Sequence, residues 1–156
     1  QMGFTVQRSR YDELTSWSED ASVAGTRNMP RTPNCYGYFT FTAAPWHNFN
    51  CSLSGIYTGR MHVPHFAPTD EIPVDYPHTY ITQDELVHTP DFFDFNVKMD
   101  YTFGLREHLK LQLNGGVQNL FNAFQQDLDK GTYRDSGSFY GPTQPRTFFL
   151  GIKLFN

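Results

Sequence analysis

From Phe92 to Leu105 the chain alternates without a break. Phe93, Phe95, Val97, Met99, Tyr101, Phe103 and Leu105 are apolar or aromatic, and Asp94, Asn96, Lys98, Asp100, Thr102 and Gly104 between them are polar or small. A period of two belongs to a β-strand, whose successive side chains point to opposite faces. An ordinary strand runs for about 5–6 residues, and this alternation is more than twice as long. The same pattern predicts six strands in all: Met2 to about Tyr11, about Asn34 to Ala43, Asn48 to Val63, Phe92 to Leu105, Leu109 to Gln118, and Arg146 to Asn156.

The connections between these strands alternate in length. A polar loop from about Asp12 to Arg31 precedes a tight turn at Pro45–His47. A loop from Pro64 to Pro90 carries Pro64, Pro68, Pro73, Pro77 and Pro90, and a turn at Arg106–His108 follows it. The last loop covers about Phe121 to Pro145. Loops in compact soluble domains are usually about 4–6 residues long, whereas outer-membrane barrels pair short periplasmic turns with long extracellular loops. A membrane-crossing strand needs about 9–11 tilted residues, which the four inner runs meet. The expected fold class is therefore all-β: an antiparallel transmembrane β-barrel segment, residues 1–156 forming one partial domain.

The two faces divide charge as lipid on one side and water on the other would require. The apolar face carries almost no charge, with Arg8 and Asp91 the marginal cases at strand ends near the long loops; Arg or Lys on that face at mid-bilayer costs about 2–4 kcal/mol. Arg60, Asp94, Lys98, Asp100, Lys110 and Lys153 take the other face, where neighbouring wall residues or carboxylates inside the barrel can pair with the cations. Phe39, Phe41, Phe49, Tyr101 and Phe103 fall near the short turns, and Tyr57 and Phe93 nearer the long loops, as two aromatic girdles would.

Composition adds to this picture only through contrast. Phe (15), Tyr (9) and Trp (2) make up 17% of the chain, yet its mean hydropathy is that of a hydrophilic protein. Alternation reconciles the two. A net charge of −4 gives no reason to expect a nucleic-acid partner. There is no run of 18 apolar residues for a transmembrane helix, and the first residues lack the basic and apolar regions of a signal peptide, so the chain is expected to be a processed product or a piece. A turn at Pro45–His47 would set Ala43 against Phe49, Cys51 against Phe41 and Cys35 against Tyr57. The two cysteines would then stand about 20 Å apart along the strand, far beyond the roughly 7 Å of a disulfide. Two free, lipid-facing thiols are expected.

The end of the chain is more specific. The stretches VQNLFNAFQQDLDKG and YRDSGSFYGPTQPRTFFLGIKLF resemble the carboxy-terminal signature of TonB-dependent outer-membrane receptors, most of all those from the Bacteroidetes. In that family a strand ends in Asn-Leu-Phe-(Asp/Asn), a last extracellular loop follows, and a Pro-Arg pair opens the closing strand. Asn119, Leu120, Phe121 and Asn122, and then Pro145 and Arg146, occupy those places. The resemblance in wording covers about Phe92–Asn156; upstream it is one of pattern. One departure is that such receptors commonly end on an outward aromatic. Here Asn156 is last and Phe155 falls on the polar face, unless the register changes at the Phe148–Phe149 doublet.

The resemblance implies a larger plugged barrel of which these six strands form the last part, the plug and upstream strands lying outside this sequence. It also implies import of a scarce, large chelate (ferric siderophore, haem or cobalamin) across the outer membrane of a Gram-negative bacterium. Partners would be the remainder of the receptor, outer-membrane lipid, TonB with its ExbB–ExbD energy complex, and a surface lipoprotein. Ligand contacts in the family come partly from extracellular loops, so Trp17, Tyr76, His78, Tyr80, Tyr133, Arg134 and Tyr140 are the candidates, as rings and a guanidinium able to stack on a macrocycle or catecholate. Ordering a loop is the competing role for each. The other classes are a passive porin and a soluble small-ligand-binding β-barrel.

Two groups have the elements of a metal site without its spacing. His62-Val63-Pro64-His65, followed by Asp70, Glu71, Asp75 and His78, has no second pair at zinc-site spacing and holds Pro64 between the histidines. Asp127, Asp129 and Gly131 lack the later ligands of a calcium loop. Neither is expected to hold a metal, and no cofactor is expected. Phosphate loops, a nucleophile elbow and clustered catalytic carboxylates are absent from the sequence, so an enzyme is not expected.

Overall fold

The computed structural model describes residues 1–106 and 108–156. Among the described residues ten strands are formed: β1 (Met2–Val6), β2 (Arg10–Thr15), β3 (Thr26–Asn28), β4 (Cys35–Trp46), β5 (Phe49–Thr58), β6 (His62–His65), β7 (Glu85–His88), β8 (Phe92–Arg106), β9 (Leu109–Gln118) and β10 (Thr147–Phe155). Six of them make one antiparallel sheet in the order β1-β4-β5-β8-β9-β10; β2–β3 and β6–β7 are separate two-stranded ladders. In the large sheet each strand pairs with the next of the six along the chain. The outer edges of β1 and β10 carry no further strand among the described residues.

The period-two pattern is kept in register from strand to strand. Phe41, Leu53, Val97, Val117 and Phe148 stand opposite one another across five strands. The row nearer the short turns is Ala43, Cys51, Met99, Gly115 and Leu150, and beyond it lie Phe49, Tyr101, Leu113 and Ile152. On the opposite face Asn50, Asp100 and Asn114 form one row and Thr42, Ser52 and Lys98 another. Asn50 Nδ2 and Gln112 Nε2 both donate to Asp100 Oδ2, at 2.7 and 2.9 Å. Because a slip of one residue would turn a strand's whole apolar set onto the polar face, this register is strongly specified.

Among the described residues no layer covers the apolar face. Leu150 is 82% exposed, and Phe4, Phe148, Ile152 and Leu154 are nearly as open. Among the described residues the buried apolar side chains are Val63, Pro64 and Phe92, and all three lie at the long-loop end. The packed interior therefore sits where the loops gather, not behind the sheet.

The structure corrects several boundaries. The first strand stops at Val6, and the β2–β3 ladder takes up Arg10 and Tyr11 from its expected end and continues into what reads as a polar loop. The expected Asn48–Val63 strand is two: β5 ends at Thr58, and β6 pairs instead with β7 inside the proline-rich loop. The Pro45–His47 turn is also moved. His47 and Asn48 form the turn, with Asn48 at φ 68°, and Trp46 pairs with Phe49. Ala44 and Pro45 lie in a register shift between Ala43 and Trp46, a bulge where a proline withholds no ladder donor.

The moved turn shifts the hairpin register by three residues and the bulge takes one back, so the net displacement is two and Cys51 faces Ala43, not Phe41. The cysteines are then about 26 Å apart at about 3.3 Å per residue. Both are free, as expected. The aromatic grouping changes with the register. Phe39 stacks with Phe93 at 6.4 Å and so belongs to the long-loop band with Phe95 and Phe121. Trp46 packs on Phe49 at 5.4 Å and joins the band at the short turns. The β9–β10 pairing runs unbroken through Phe148 and Phe149, so the register does not change there. Phe155 stays on the polar face, under Lys153 Nζ at 5.1 Å from its ring centroid.

Two glycines of the sheet test how tightly this ladder is built. A Cβ on Gly116 would collide with Val97 O and lie 2.8 Å from the Phe149 ring, while one on Gly104 would meet nothing within 4 Å. Gly116→Ala is expected to cost about 1–3 kcal/mol through forced displacement, and Gly104→Ala less than about 0.5 kcal/mol. Urea unfolding of the two variants checks this; equal midpoints would contradict the packing described.

Candidate functional site

All three long connections leave the sheet at one end and are bonded into a single cap. Its stem is built from two short stretches, Asn119–Asn122 and Pro145–Arg146. Asn119 is 2% exposed and Asn122 follows the next two residues; both take left-handed backbone conformations, at φ 48° and 54°, which asparagine tolerates better than other residues with a Cβ. Asn119 Nδ2 donates to Ala123 O (2.9 Å) and Gln144 O (2.8 Å), while its Oδ1 accepts from Ala123 N at 2.8 Å. Asn122 Oδ1 accepts from Arg146 N at 2.9 Å. The side chains of Asn119 and Asn122 thus close the last loop onto Gln144 and Arg146, on either side of Pro145. Phe121 projects the other way, stacking on Phe93 and Phe95 at 6.0 and 5.7 Å.

Higher in the cap, His65 joins the second and third loops. It is 8% exposed, with Nε2 2.9 Å from Asp129 Oδ2 and Nδ1 3.3 Å from Glu85 Oε1. Burial opposes its positive charge, but the hydrogen bonds and charge of Asp129, and then of Glu85, outweigh that and raise its pKa above the usual imidazole range. Asp135 continues the seam by accepting from Phe66 N at 2.9 Å. The first loop is attached through Arg31, which donates to the carbonyls of Phe139 and Gly137, and through Ser18, whose hydroxyl donates to Asp84.

Four of the seven sequence-predicted ligand residues converge here. Tyr76 stacks on Tyr80 at 6.1 Å and meets Tyr133 at 5.1 Å and His78 at 5.7 Å, both edge-on. These rings grip one backbone segment. Tyr80 Oη donates to Lys130 O (2.6 Å) and Tyr76 Oη accepts from Thr132 N (2.9 Å). Between them Gly131, at φ 95°, lies so close that a Cβ would stand 2.6 Å from both hydroxyls. Hydrogen bonds from Thr132 hold Tyr76 below the usual phenol range, while burial pushes Tyr80 up.

Arg134 is attached to the same turn, donating from Nη1 to Gly131 O at 3.1 Å. Trp17 and Tyr140 are elsewhere. Trp17 packs on Phe66 at 6.2 Å and donates to Ala24 O. Tyr140 packs on Phe92 at 6.0 Å and donates to Asp127, with burial and that carboxylate raising its pKa. What the cluster offers a ligand is ring surface, the exposed His78 and the exposed Arg134; the Tyr76 and Tyr80 hydroxyls are already engaged.

Under the cap, Gly141–Gln144 form one side of an open cleft of about 650 Å³, lined also by Ser54, Asp94, Asn96, Lys98 and Asn119 among others. Asp94 Oδ1 is buried there without a hydrogen-bond partner. Of the cations assigned to the polar face, Arg60 makes a loose 3.9 Å pair with Asp91. The suspected metal groups do not assemble. His62 and His65 lie three residues apart on one strand and so face opposite ways, while Asp127 and Asp129 are taken by different partners, Tyr140 and His65. No group of three or more His, Cys, Asp or Glu able to hold a metal ion occurs among the described residues.

The seam at His65 lay beyond sequence reasoning, because its acids come from β7 and from the third loop. No family model, curated protein or solved structure matches this chain.

Two outcomes test the cap. Asn119→Ala removes three side-chain hydrogen bonds and orphans buried backbone groups, for an expected loss of about 2–4 kcal/mol, read as faster proteolysis within 123–144. Because the His65 pKa is raised on folding, its clamp is fully formed below about pH 6.5, the unfolded value, and weakens as pH rises through the folded value. Hydrogen-exchange protection factors at the Phe66 and Asp135 amides should fall between pH 6 and pH 9 in the native protein. In His65→Gln they should be low and independent of pH over that range.

Proposed function

We propose that this chain supplies wall strands and extracellular capture loops to a TonB-dependent outer-membrane transporter that imports a large, scarce chelate. The observation that carries the membrane part of this reading is the uncovered apolar face. Burying a side chain such as Phe148, Leu150 or Ile152 is worth about 1.5–3 kcal/mol. Leaving the whole face in water would forgo tens of kcal/mol, against a net stability of about 5–15 kcal/mol for ordinary domains. Lipid supplies the missing environment, and the aromatic bands at either end of the face sit where the two interfaces of a bilayer would be.

The open edges of β1 and β10 are the second support. Unpaired strand edges are not tolerated in hydrocarbon, so in this reading further barrel strands of the same receptor pair with both. The polar face then lines the lumen, where Lys98 and the unpartnered Asp94 oxygen meet the plug. The receptor reading itself rests on the Asn119–Asn122 and Pro145–Arg146 signature, whose side-chain and backbone hydrogen bonds close the last loop over the lumen. The Tyr76–His78–Tyr80–Tyr133 cluster and Arg134 form part of the outer capture surface, and transport is driven by TonB with ExbB–ExbD through the plug.

Paired substitutions separate the faces. Leu53→Arg is expected to cost about 2–4 kcal/mol and to deplete the receptor from the outer membrane, while the neighbouring Ser54→Arg is assembled normally. Cells lacking the gene should lose uptake of one of three labelled chelates, ferric siderophore, haem or cobalamin, and that uptake should collapse when the proton-motive force is dissipated. Energy-independent uptake, or none, would sink the transporter reading.

A further inference from the structure

The β6–β7 ladder brings together two histidines that the sequence holds far apart. His62 and His88 are register partners, with ring centroids 4.9 Å apart and ring planes inclined by 48°. The kind of ladder position matters. Thr89 N donates to Met61 O at 2.9 Å, which makes that pair a hydrogen-bonded one and the next, His62–His88, a non-hydrogen-bonded one. The alternation repeats two residues on, where Pro64, having no N–H, faces Leu86. Non-hydrogen-bonded pairs bring Cα atoms to about 4.5 Å instead of about 5.5 Å and their side chains closer still.

We propose that His62 and His88 form a two-imidazole chelate for a borderline divalent transition metal of the zinc and copper class. Two imidazoles bound to one tetrahedral ion at about 2.0–2.1 Å have ring centroids about 5 Å apart, close to the separation here. Neither ring makes a hydrogen bond among the described residues, whereas His65 on the opposite face of the same strand has both ring nitrogens engaged. Both are accessible, His62 half-buried and His88 exposed. No third His, Cys or carboxylate completes the group among the described residues. The ion would therefore keep open positions for water or for donor atoms it brings with it. Bound there, it cross-links the two strands at the stem of the second long loop. This site stands on the hairpin geometry alone and does not depend on the transport reading.

The test is a Zn²⁺ titration of the full-length protein in detergent by calorimetry, comparing the native protein with His62→Gln, His88→Gln and His108→Gln. The native protein and His108→Gln should bind one equivalent more than either hairpin variant. Hydrogen exchange supplies a second readout: Zn²⁺ should raise protection of the Thr89 amide at least tenfold in the native protein and leave it unchanged in His88→Gln, whose exposed side chain is the less disturbing one to replace. Equal stoichiometry in the native protein and His88→Gln, or unchanged Thr89 protection, overturns the proposal.

Discussion

The cross-strand register of β4, β5, β8, β9 and β10 is the constraint on which the rest of the molecule depends. Alternation within one strand only sorts side chains into two sets. It becomes a surface when neighbouring strands pair so that Leu53, Val97, Val117 and Phe148 fall in one row and Ser52, Lys98 and Gly116 in another. The bulge at Ala44–Pro45 and the positive φ of Asn48 protect that register at the first short turn. With an even-numbered displacement the parity survives, which explains why a misplaced turn shifts the cysteines but leaves both faces intact.

The same parity explains where the polar chemistry gathers. With one face committed to apolar contact, carboxylates and amides can be satisfied only on the other face or beyond the strand ends. Asp100 is met by Asn50 and Gln112 on the sheet, and the cap takes up Asp84, Asp129 and Asp135. The loops are therefore not loose tethers. Asn119 closes the stem, His65 joins the second loop to the third, and the two tyrosines hold the turn at Gly131. A cap tied in this way presents a preformed surface, which lowers the ordering cost of binding.

Much of the sheet was legible in the sequence because a two-residue period is a local signal. The span Phe92–Leu105 was visible as a strand to within one residue of β8, and Leu109–Gln118 matches β9. The misreadings occur where a local signal has two physical outcomes. Pro45 reads as a turn residue but also fits a bulge. The apolar positions of Asn48–Val63 continue past Thr58, yet the chain leaves the sheet there and pairs His62–His65 with Glu85–His88. The cap was legible only in part: the aromatic residues were visible as a class, and Tyr76, His78, Tyr80 and Tyr133 do meet, but the acids flanking His65 and the partner of His62 are set by tertiary pairing.

In the proposed membrane reading the two faces of this sheet meet different media, lipid on one and water or protein on the other. Nitroxide labels placed singly from Phe93 to Thr102 in the full-length protein, reconstituted in bilayers, test it most directly. Collisions with oxygen should peak at positions 93, 95, 97, 99 and 101 and fall at 94, 96, 98, 100 and 102, a period of two running through the length of β8. Accessibility to a water-soluble relaxant on both sets of positions, or oxygen accessibility without that period, would contradict the account.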